Sequence, residues 1–591
     1  MQLAIGIVAA AFALRLASAV EMANFNGGLN TVFTPSKASD LATYMTLAQE
    51  ICKGGFPAAF YYQPWYYAVF LPVILLTGAG VKAVIAAQIV CGTCAVIFAA
   101  LTALLFAGKR GAVFTALLAA TSVPLVFYTP FHQNETLQSM HLALMFLAAL
   151  IALLKGKWQL FLAAGIVSGI AIATRGNITL IFGYLFILTL VFPRRIKAKK
   201  RLLNAAVLTA GAVLMVLPFS LHNTIALKRL CGPSTAGDAV LALGNTPEAP
   251  AGGRNPGLPA GPMEYPEAFH RTMSDTSHGV GLGKAMVNWM CREPLAFFEL
   301  QIRKLLLFWD VREIPNNVSL EGEGRTSSVI GALRMTGFEY FLPICGLAGL
   351  LLAAACFKVR DVRLWWLAGF IVIYWGSIAL FYNLSRFRAP VFPVLAVAAA
   401  LLLRRRIKCR KIVKAAVLLF AFFVSVSLYD CYRLWEPQIM RVARPDGTLV
   451  PPAIGSRQYD LLDNGPFTFG AWSEVKLAPG TAVGKKFSHP GVGNVTWKLF
   501  SDAGNTITLK DKNGKLATFT LARGENNIIL EDQNLSDNGF EVVFITGNVF
   551  AMRDFQRDYG RSTLDGRFFS AEWVARAGFT LDKKPIGNYT K

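Results

Sequence analysis

The stretch SDLATYMTLAQEICKGGFPAAFYYQPWYYAVF, residues 39–70, separates the first apolar segment of the chain, at about 3–22, from a short apolar run at about 66–79. Asp40 begins a short amphipathic pattern, and Gln63-Pro64-Trp65 leads the chain into the short run. Aromatic side chains with one polar end are typical of the membrane–water interface. The stretch therefore predicts a polar, aromatic platform on a membrane surface.

The composition of the whole chain is that of a membrane protein. Of its 591 residues, 54% are hydrophobic and 16% are charged, and the mean hydropathy is +0.46. Long uncharged runs recur along the chain, as in proteins that cross a bilayer several times. The length exceeds what one compact core supports, so several structural units are expected.

The net charge of +23 is concentrated in loops between apolar segments. These loops are Lys109-Arg110, Lys155 with Lys157, and the runs 193–201, 358–363 and 404–411, which together hold 19 Lys and Arg residues and one acid, Asp361. Such an excess of basic residues marks cytoplasmic loops. The charge therefore indicates topology and attraction to anionic membrane lipid, and no nucleic-acid partner is expected.

Placing these loops inside predicts about eleven crossings, with the N-terminus in the cytoplasm and the C-terminus outside. The spans are expected at about 3–22, 82–107, 111–128, 137–154, 158–174, 177–192, 203–220, 338–357, 364–381, 389–403 and 412–429. The run 66–79 is shorter than the roughly 20 residues that a span needs, so it is predicted to be a juxtamembrane or re-entrant helix. The outer loops are then 23–81, 129–136 and 221–335, within a transmembrane domain over 1–430.

The region 431–591 has a different pattern. Short runs of alternating apolar and polar residues follow one another, namely VTWKLF, TITLKD, LATFTL, NIILED and FEVVFI, and Asn513-Gly514 is a strong hairpin signal. The region is predicted to be an extracytoplasmic all-β sandwich. Two roles stay open for it, the binding of a glycan or acceptor and the capping of the outer face.

The nine cysteines are scattered. Cys91 and Cys94 form a C-x-x-C inside an apolar helix with no His or acid nearby, which favours membrane core packing over metal or redox chemistry. Cys231 and Cys291 fall in the same predicted outer region, and whether they pair stays open.

Polar and ionisable residues gather in the loops predicted to face outward, whereas the inner loops hold almost only Lys and Arg. The outer set includes Asp40, Tyr44, Gln63, His132, Asn134, Glu135, Arg175, His222, Asn223, Asn245, Lys304, Glu313, Arg386 and Arg388. A functional site is therefore expected on the outer side.

The order of several motifs resembles that of a known superfamily. The motifs are Arg15 in the first span, SDLATY (39–44), QPWYYAVFLPVILLTG (63–78), FYTPFHQNETL (127–137), GIAIATRGNITL (169–180), LHNTIALKR (221–229), STAGDAVLALGNTPEA (234–249), KLLLFWDVREIPNN (304–317) and SRFRAPVFPVLA (385–396). Their order and common location resemble the GT-C integral-membrane glycosyltransferases, in the branch of protein O-mannosyltransferases, the aminoarabinose–lipid A transferase and Rgt-type transferases. The resemblance covers about 1–405.

The resemblance implies sugar transfer from a polyprenyl-phosphate donor, with Asp40 as general base. A carboxylate within hydrogen-bond reach can take the proton of an acceptor hydroxyl as the hydroxyl attacks the sugar. Glu135 is the second acid, which orients a substrate or holds a divalent cation with His132. The alternatives are a helix N-cap for Asp40 and a dipole-stabilised N-terminal acid for Glu135. Leu41 follows Asp40 where many relatives carry an acid.

The leaving lipid phosphate needs cations beside it, because its negative charge grows as the glycosidic bond breaks. The candidates are Arg175, Lys304, Arg386 and Arg388, with headgroup binding or snorkelling as the alternative. The candidate substrate-binding residues are Tyr44, Gln63, His132, Asn134, His222, Asn223, Asn245 and Glu313, of which His222, Asn223 and Asn245 serve sugar contacts or loop ordering. No cofactor is firmly implied, and a divalent cation stays open.

Together these features predict a multi-pass protein of a bacterial inner membrane that transfers a sugar, by an inverting displacement, to a lipid, glycan or protein acceptor on the periplasmic side. The alternative is a non-enzymatic transporter or flippase of lipid-linked glycan. Transporters place ionisable residues near the bilayer midplane, often within internal repeats. No internal repeat is visible, and acids are nearly absent from the predicted spans.

Overall fold

The structure is a computed structural model that describes the chain in segments. The described residues are 2–24, 32–33, 35, 39–192, 196–237, 240–241, 244–245, 281–309, 317–318, 320, 323–336, 338–355, 361–403, 417–419, 442–443, 449–450, 472–485, 492–501, 504–511, 514–534, 540–547, 549–554, 562–564, 567–568, 572–573 and 575–579. They form a helical part up to Leu403 and a β part from Val442 onward.

The helical part contains sixteen described α-helices, some of them short. They are α1 (Gln2–Ala23), α2 (Asp40–Cys52), α3 (Leu71–Leu75), α4 (Gly80–Ala120), α5 (Val123–Phe127), α6 (Glu135–Lys155), α7 (Trp158–Thr174), α8 (Ile178–Val191), α9 (Ala198–Leu227), α10 (Leu282–Arg292), α11 (Pro294–Leu307), α12 (Ser328–Met335), α13 (Phe338–Ala355), α14 (Val362–Ala379), α15 (Ser385–Arg388) and α16 (Phe392–Ala399). A π-helix, Trp65–Phe70, continues into α3, and 3₁₀ turns at Ala389–Val391 and Ala400–Leu403 flank α16.

The predicted helical membrane fold is confirmed. Within the described segments, six helical stretches are long and apolar enough to cross a membrane, namely Ile5–Ala23, Gly80–Ala120, Glu135–Lys155, Ala198–Leu227, Val362–Ala379 and Ser385–Leu403. Shorter apolar helices occupy Trp158–Thr174, Ile178–Val191 and Phe341–Ala355. Helices thus lie at ten of the eleven predicted spans, and the eleventh, 412–429, lies almost wholly outside the described residues.

One helix carries two of the predicted spans. α4 runs for 41 residues, but Gly108 has φ 69° and ψ −163°, so the helix is broken there. Glycine adopts this backbone conformation without the steric cost that a Cβ brings. The break immediately precedes Lys109-Arg110, where the basic loop was predicted.

The apolar run after residue 65 forms a short helix, as predicted. The π-helix and α3 together cover Trp65–Leu75, which is too short to cross a bilayer at 1.5 Å per residue. Buried Tyr66, Tyr67 and Leu71 pack this helix against the residues of α2 in one hydrophobic cluster. The predicted platform is therefore a pair of helices that share an aromatic core.

Small residues allow α7 and α9 to cross closely. A Cβ at Gly165 of α7 would lie 2.1 Å from the carbonyl oxygen of Leu208 in α9, and a Cβ at Gly169 would lie 2.5 Å from that of Ala212. From the α9 side, a Cβ at Gly211 would lie 2.7 Å from the carbonyl oxygen of Leu162. Glycines four residues apart allow membrane helix backbones to approach this closely.

The β part consists of antiparallel strands. They are β1 (Val442–Ala443), β2 (Leu449–Val450), β3 (Trp472–Leu477), β4 (Ala482–Lys485), β5 (Val492–Ser501), β6 (Asn505–Asp511), β7 (Leu516–Leu521), β8 (Gly524–Asn534), β9 (Phe540–Thr546), β10 (Val549–Asp554), β11 (Ser562–Leu564), β12 (Arg567–Phe568), β13 (Glu572–Trp573) and β14 (Ala575–Phe579). One six-stranded sheet has the order β13-β10-β5-β14, with β3 on β10 and β8 on β5, and the other has the order β12-β11-β4-β9-β6-β7.

The two six-stranded sheets share one core, which makes this region a β-sandwich. Trp497 of β5 and Phe544 of β9 come from different sheets, and their ring centroids are 5.9 Å apart. The predicted hairpin joins β6 to β7, with Lys510 opposite Leu516 and Gly514 at φ 82°. The predicted boundary at 430–431 lies outside the described residues, so the division into two domains stays a prediction.

Candidate active site

Asp40 occupies the first position of α2. The N-cap of this helix is Ser39, whose hydroxyl oxygen accepts a hydrogen bond from the amide of Ala42 at 3.4 Å. Oδ2 of Asp40 instead accepts from Nη2 of Arg386 at 2.6 Å and from Nδ2 of Asn317 at 2.9 Å. The Asp40 side chain is 27% exposed. Ser39 therefore caps the helix in place of Asp40, and the Asp40 carboxylate contacts a charged cluster.

Arg386 links the two predicted acids. It lies on α15, is buried, and its Nη1 is 3.7 Å from Oε1 of Glu135 while its Nη2 binds Asp40. A guanidinium presents several donors in a fixed plane, so one Arg can contact two carboxylates at once. The three side chains form a bridge from Asp40 through Arg386 to Glu135.

Glu135 is the most enclosed member of this bridge. It begins α6, it is 1% exposed, and among the described residues neither of its carboxylate oxygens has a hydrogen-bond donor. The positive end of the α6 dipole and the charge of Arg386 offset part of the cost of burying this acid. Glu135 is therefore a helix N-terminal acid that also lies beside Arg386, and its role in orienting a substrate or holding a cation stays a prediction.

Arg175 approaches the same cluster from the end of α7. Its guanidinium carbon lies 4.0 Å from the centroid of the Phe387 ring, and that of Arg386 lies 5.0 Å from the same ring. Nη1 of Arg175 is buried and has no hydrogen-bond partner among the described residues. Gln63 lies beside Gly176, the residue that follows Arg175. Arg175 thus has a donor group available at the site.

Lys304 is fully buried and uses its ammonium group within the protein. Nζ donates to the carbonyl oxygens of Gly244 at 2.9 Å and Phe381 at 3.0 Å, and to Oδ1 of Asn245 at 2.9 Å. Burial lowers the pKa of Lys304 to about 7. Asn245 also donates to the carbonyl oxygens of Leu241 and Leu380. Lys304 and Asn245 therefore connect residues 244 and 245 to the residues that follow α14.

Arg388 also contacts protein atoms. Its Nη2 donates to Oγ of Ser385 at 2.7 Å, and its Nη1 lies 3.4 Å from the carbonyl oxygen of Phe308. Like Arg386, it is 7% exposed. The four cations predicted to bind phosphate therefore differ in their surroundings, because Arg386 holds carboxylates, Lys304 and Arg388 hold polar groups of the chain, and Arg175 keeps a donor without a partner among the residues described.

An aromatic group lies beside Asp40. Tyr44, one helical turn further along α2, packs edge-on against Tyr62 and Tyr66 at 5.6 Å and stacks on Tyr67 at 6.1 Å. Burial, followed by the charge of Asp40, raises the pKa of Tyr44 well above its usual value. The same two causes raise the pKa of Tyr62 to about 12. Both phenols are therefore neutral near pH 7 and can donate hydrogen bonds.

Two residues of the short loop before α6 are buried in different ways. His132 is 1% exposed, neither ring nitrogen has a partner among the described residues, and burial lowers its pKa to about 4. His132 is therefore neutral at pH 7. Asn134 donates to the carbonyl oxygen of Thr174, so it joins the start of α6 to the end of α7.

His222 and Asn223 contact the loop that leads to the platform. Nε2 of His222 lies 3.0 Å from the carbonyl oxygen of Pro57. Oδ1 of Asn223 accepts from the amide of Phe60 at 2.6 Å, and its Nδ2 donates to the carbonyl oxygen of Gly232. These contacts favour loop ordering, one of the two roles that the sequence left open for them.

The structure adds Asn317 to the predicted residues, and it does not describe Glu313. Asn317 ends the motif KLLLFWDVREIPNN, but nothing in the sequence points to its contact with Asp40, 277 positions away. Within the described residues, no three His, Cys, Asp or Glu side chains lie close enough to hold a metal ion. Cys231 and Cys291 are both free thiols.

Comparison with known protein families gives one match. Residues 63–222, about a quarter of the chain, match the family model described as dolichyl-phosphate-mannose-protein mannosyltransferase. No curated protein matches the chain significantly.

Three solved structures show a partial likeness. The Archaeoglobus fulgidus oligosaccharyltransferase with a tethered acceptor peptide is 16% identical, with 71% of this chain and 54% of that one covered and a TM-score of 0.38. ArnT from Cupriavidus metallidurans, bound to undecaprenyl phosphate, is 13% identical, with 80% of this chain and 93% of that one covered and a TM-score of 0.32. The arabinosyltransferase EmbB from Mycobacterium smegmatis is 10% identical, with 97% of this chain and 65% of that one covered and a TM-score of 0.29.

This chain spans about half the length of the archaeal enzyme. Over the residues that it covers, the matched family model agrees with the resemblance predicted from the motifs. At these TM-scores no residue's role is carried from those proteins to this chain.

Proposed function

We propose that the protein transfers a sugar from a polyprenyl-phosphate-linked donor to an acceptor hydroxyl at the outer face of a bacterial inner membrane, with Asp40 as the general base. The observation that carries this proposal is the position of the Asp40 carboxylate. It is held by Arg386 and Asn317, and it is still 27% exposed. A partly exposed carboxylate held in one orientation suits a base that receives a proton from a substrate.

In the proposed reaction the acceptor oxygen forms a bond to the anomeric carbon as its proton passes to Asp40. The bond between the anomeric carbon and the phosphate oxygen breaks, and the lipid phosphate leaves with the bonding electrons. A single displacement of this kind inverts the anomeric configuration. Asp40 returns to its ionised form when it releases the proton to solvent.

Arg175 is the leading candidate for the departing phosphate. Its buried Nη1 has no partner among the described residues, and its guanidinium packs on Phe387 next to Arg386. A guanidinium whose N–H group is available can donate a hydrogen bond to the phosphate oxygen and so stabilise the charge that grows there. Lys304 and Arg388 are further candidates, and phosphate binding there would need them to exchange a present contact.

The platform of α2 and the π-helix offers a place for the sugars. Tyr62 is partly exposed and packs against Tyr44, which lies one helical turn after Asp40. Aromatic rings pack against the apolar faces of sugars, and neutral phenols donate hydrogen bonds to their hydroxyl oxygens. We assign Tyr44 and Tyr62 to the sugar-binding part of the site, with Gln63 beside them.

The test is a transfer assay with purified protein in detergent. Undecaprenyl phosphate that carries a radiolabelled hexose or pentose serves as donor, and an extract of cell-envelope lipids and glycans serves as acceptor. We expect labelled product with wild-type protein and none with Asp40→Asn, although this variant should still be purified from the membrane with an unchanged elution profile. Near-normal turnover by Asp40→Asn would contradict the assignment of the base.

A matched control distinguishes transfer from transport. Wild-type protein is reconstituted in lipid vesicles with the labelled donor. If the protein moves the donor across the bilayer and forms no product, it is a transporter instead. Glu50→Gln, on the same helix as Asp40, changes an acid that no described residue in the site contacts. It should transfer sugar at the wild-type rate.

A further inference from the structure

Asn317 has an unusual backbone conformation. Its φ is 66°, and Lys228 is the one other non-glycine residue with positive φ among those that the structure describes. Left-handed backbone costs most L-residues about 1–2 kcal/mol, and Asn is among the residues that tolerate it best. Asn317 is also 5% exposed, so the conformation is not that of a loose surface turn. Such outliers are often retained because a side chain must reach a functional group.

The side chain of Asn317 reaches Asp40. Nδ2 donates to Oδ2 of Asp40 at 2.9 Å, and this same oxygen accepts from Arg386 at 2.6 Å. The torsion that turns an Asp carboxylate about its last bond has broad energy minima, so the side chain alone does not fix its orientation. Two donors on one oxygen restrict this rotation.

Packing holds Asn317 in place beside α2. The next residue, Val318, is fully buried, and Leu320 is 3% exposed. Both belong to the same hydrophobic cluster as Leu41, which directly follows Asp40. The segment that carries Asn317 and the helix that carries Asp40 are therefore anchored in one core, which keeps the amide and the carboxylate in register.

The two donors differ in charge, and this difference bears on a base. Arg386 carries a full positive charge, which stabilises the ionised carboxylate strongly and weakens its attraction for a proton. Asn317 donates through a neutral amide, which affects proton affinity less than a second cation would. A neutral donor at this place fixes the direction of the carboxylate while leaving it able to accept a proton.

From this geometry we infer that Asn317 is a positioning residue for the transfer reaction, which orients the Asp40 carboxylate toward the acceptor hydroxyl. The inference rests on the proposed function. Asn317 would not touch either substrate and would act through Asp40. Its removal should therefore lower kcat and leave the KM for the donor nearly unchanged.

Three substitutions separate the amide from the backbone conformation. Asn317→Gly keeps the left-handed backbone and removes the donor, Asn317→Ala strains the backbone and removes the donor, and Asn317→Asp keeps the shape and replaces the donor by a carboxylate. We expect kcat to fall about 10- to 100-fold in Asn317→Gly, the range for loss of a hydrogen bond to a charged group, and further in Asn317→Asp. Asn317→Ala should in addition lower the melting temperature in detergent.

Lys228→Gly is the matched control. Lys228 also has positive φ, at 51°, but it is exposed at the end of α9. Glycine there should leave kcat, KM and the amount of purified protein unchanged. The comparison removes any general effect of glycine at a left-handed position.

The outcomes separate this inference from the proposed function. If wild-type protein transfers sugar, Asp40→Asn does not, and Asn317→Gly keeps the wild-type kcat, then Asn317 serves only the backbone and the inference is overturned while the proposed function stands. An equal fall of kcat in Asn317→Gly and Lys228→Gly would overturn it as well. Wild-type protein that transfers no sugar from any of the donors would refute both.

Discussion

Arg386 and Asp40 form a charged hydrogen bond of 2.6 Å between residues 346 positions apart in the chain. The other terminal nitrogen of Arg386 is 3.7 Å from Glu135, so the two acids share one cation. Any change in this shared guanidinium affects both carboxylates at once. This coupling allows the site to be tested by variants in pairs.

Replacing Arg386 by Met should destabilise the protein and abolish transfer. The substitution leaves Glu135 buried at 1% exposure without its cation, and Asp40 loses its shorter hydrogen bond. Removing one partner of an ion pair lowers the free energy of unfolding least when the pair is exposed and most when it is buried. For this partly exposed bridge we expect a loss of about 2 kcal/mol. Thermal unfolding in detergent measures the loss.

The double variant Arg386→Met/Glu135→Gln provides the control for that loss. Gln is close to Glu in shape and carries no charge, so it removes the unpaired buried carboxylate. The double variant should regain much of the stability and stay inactive. Equal stability of the single and double variants would show that Arg386 and Glu135 do not interact.

The loop before α6 should make stability depend on pH through His132. Its pKa is about 4 in the folded protein, and an unfolded His has a pKa near 6.5. Between these values the unfolded chain binds one more proton than the folded protein, so stability decreases as the pH falls from about 6.5 to 4, by up to about 3 kcal/mol. His132→Gln should flatten this part of the curve of melting temperature against pH. An unchanged curve would contradict the neutral, buried state of His132.

Lys304→Met should weaken the attachment of residues 244–245 to the end of α14. The substitution keeps most of the apolar stem but leaves the carbonyl oxygens of Gly244 and Phe381 and Oδ1 of Asn245 without this donor. Each buried acceptor that loses its donor lowers the free energy of unfolding by up to about 3 kcal/mol. We expect a lower melting temperature and faster proteolysis after residue 245, both measured in detergent. A rise in the KM for the donor with no change in either property would instead favour phosphate binding by Lys304.

Gly165→Ala should separate α7 from α9. A Cβ at this position would lie 2.1 Å from the carbonyl oxygen of Leu208, so the two helices must move apart, at a cost of about 1–3 kcal/mol. Gly183→Ala in α8 is the matched control, because a Cβ there meets nothing within 4 Å. The melting temperature should fall only in the first variant. A fall of equal size in both would show that the crossing of α7 and α9 does not depend on Gly165.

Local patterns were sufficient for most of the predicted spans and for the strands, but not for the helices within the outer loop 221–335. The spans predicted at 158–174 and 177–192 are helices at Trp158–Thr174 and Ile178–Val191. Their bounds agree closely because each helix coincides with one uninterrupted apolar run. A loop was expected at Lys109-Arg110, since the two cations disfavour the bilayer interior, and the helix is broken at the preceding residue, Gly108. The alternating runs after residue 490 formed strands for the same local reason.

The partners inside the site were beyond what local patterns contain. Arg386 was predicted to bind phosphate from its position before a span, and that role stays a prediction, but its present contacts with Asp40 and Glu135 could not be read from the motif. Asn317 was overlooked because one Asn in a polar loop carries no signal of its own. Its contact depends on how the segment around Val318 packs beside α2.

The sequence by itself determined which long apolar segments are helices and which alternating runs are strands, and it placed the polar residues of the site in one set of loops. These properties follow from the length, hydropathy and periodicity of neighbouring residues. Only the tertiary structure decided that Asp40, Arg386, Glu135 and Asn317 meet. Contacts over 277 and 346 positions depend on the rotation, depth and close approach of packed helices, and these are settled by the whole assembly of side chains rather than by any one stretch of the chain.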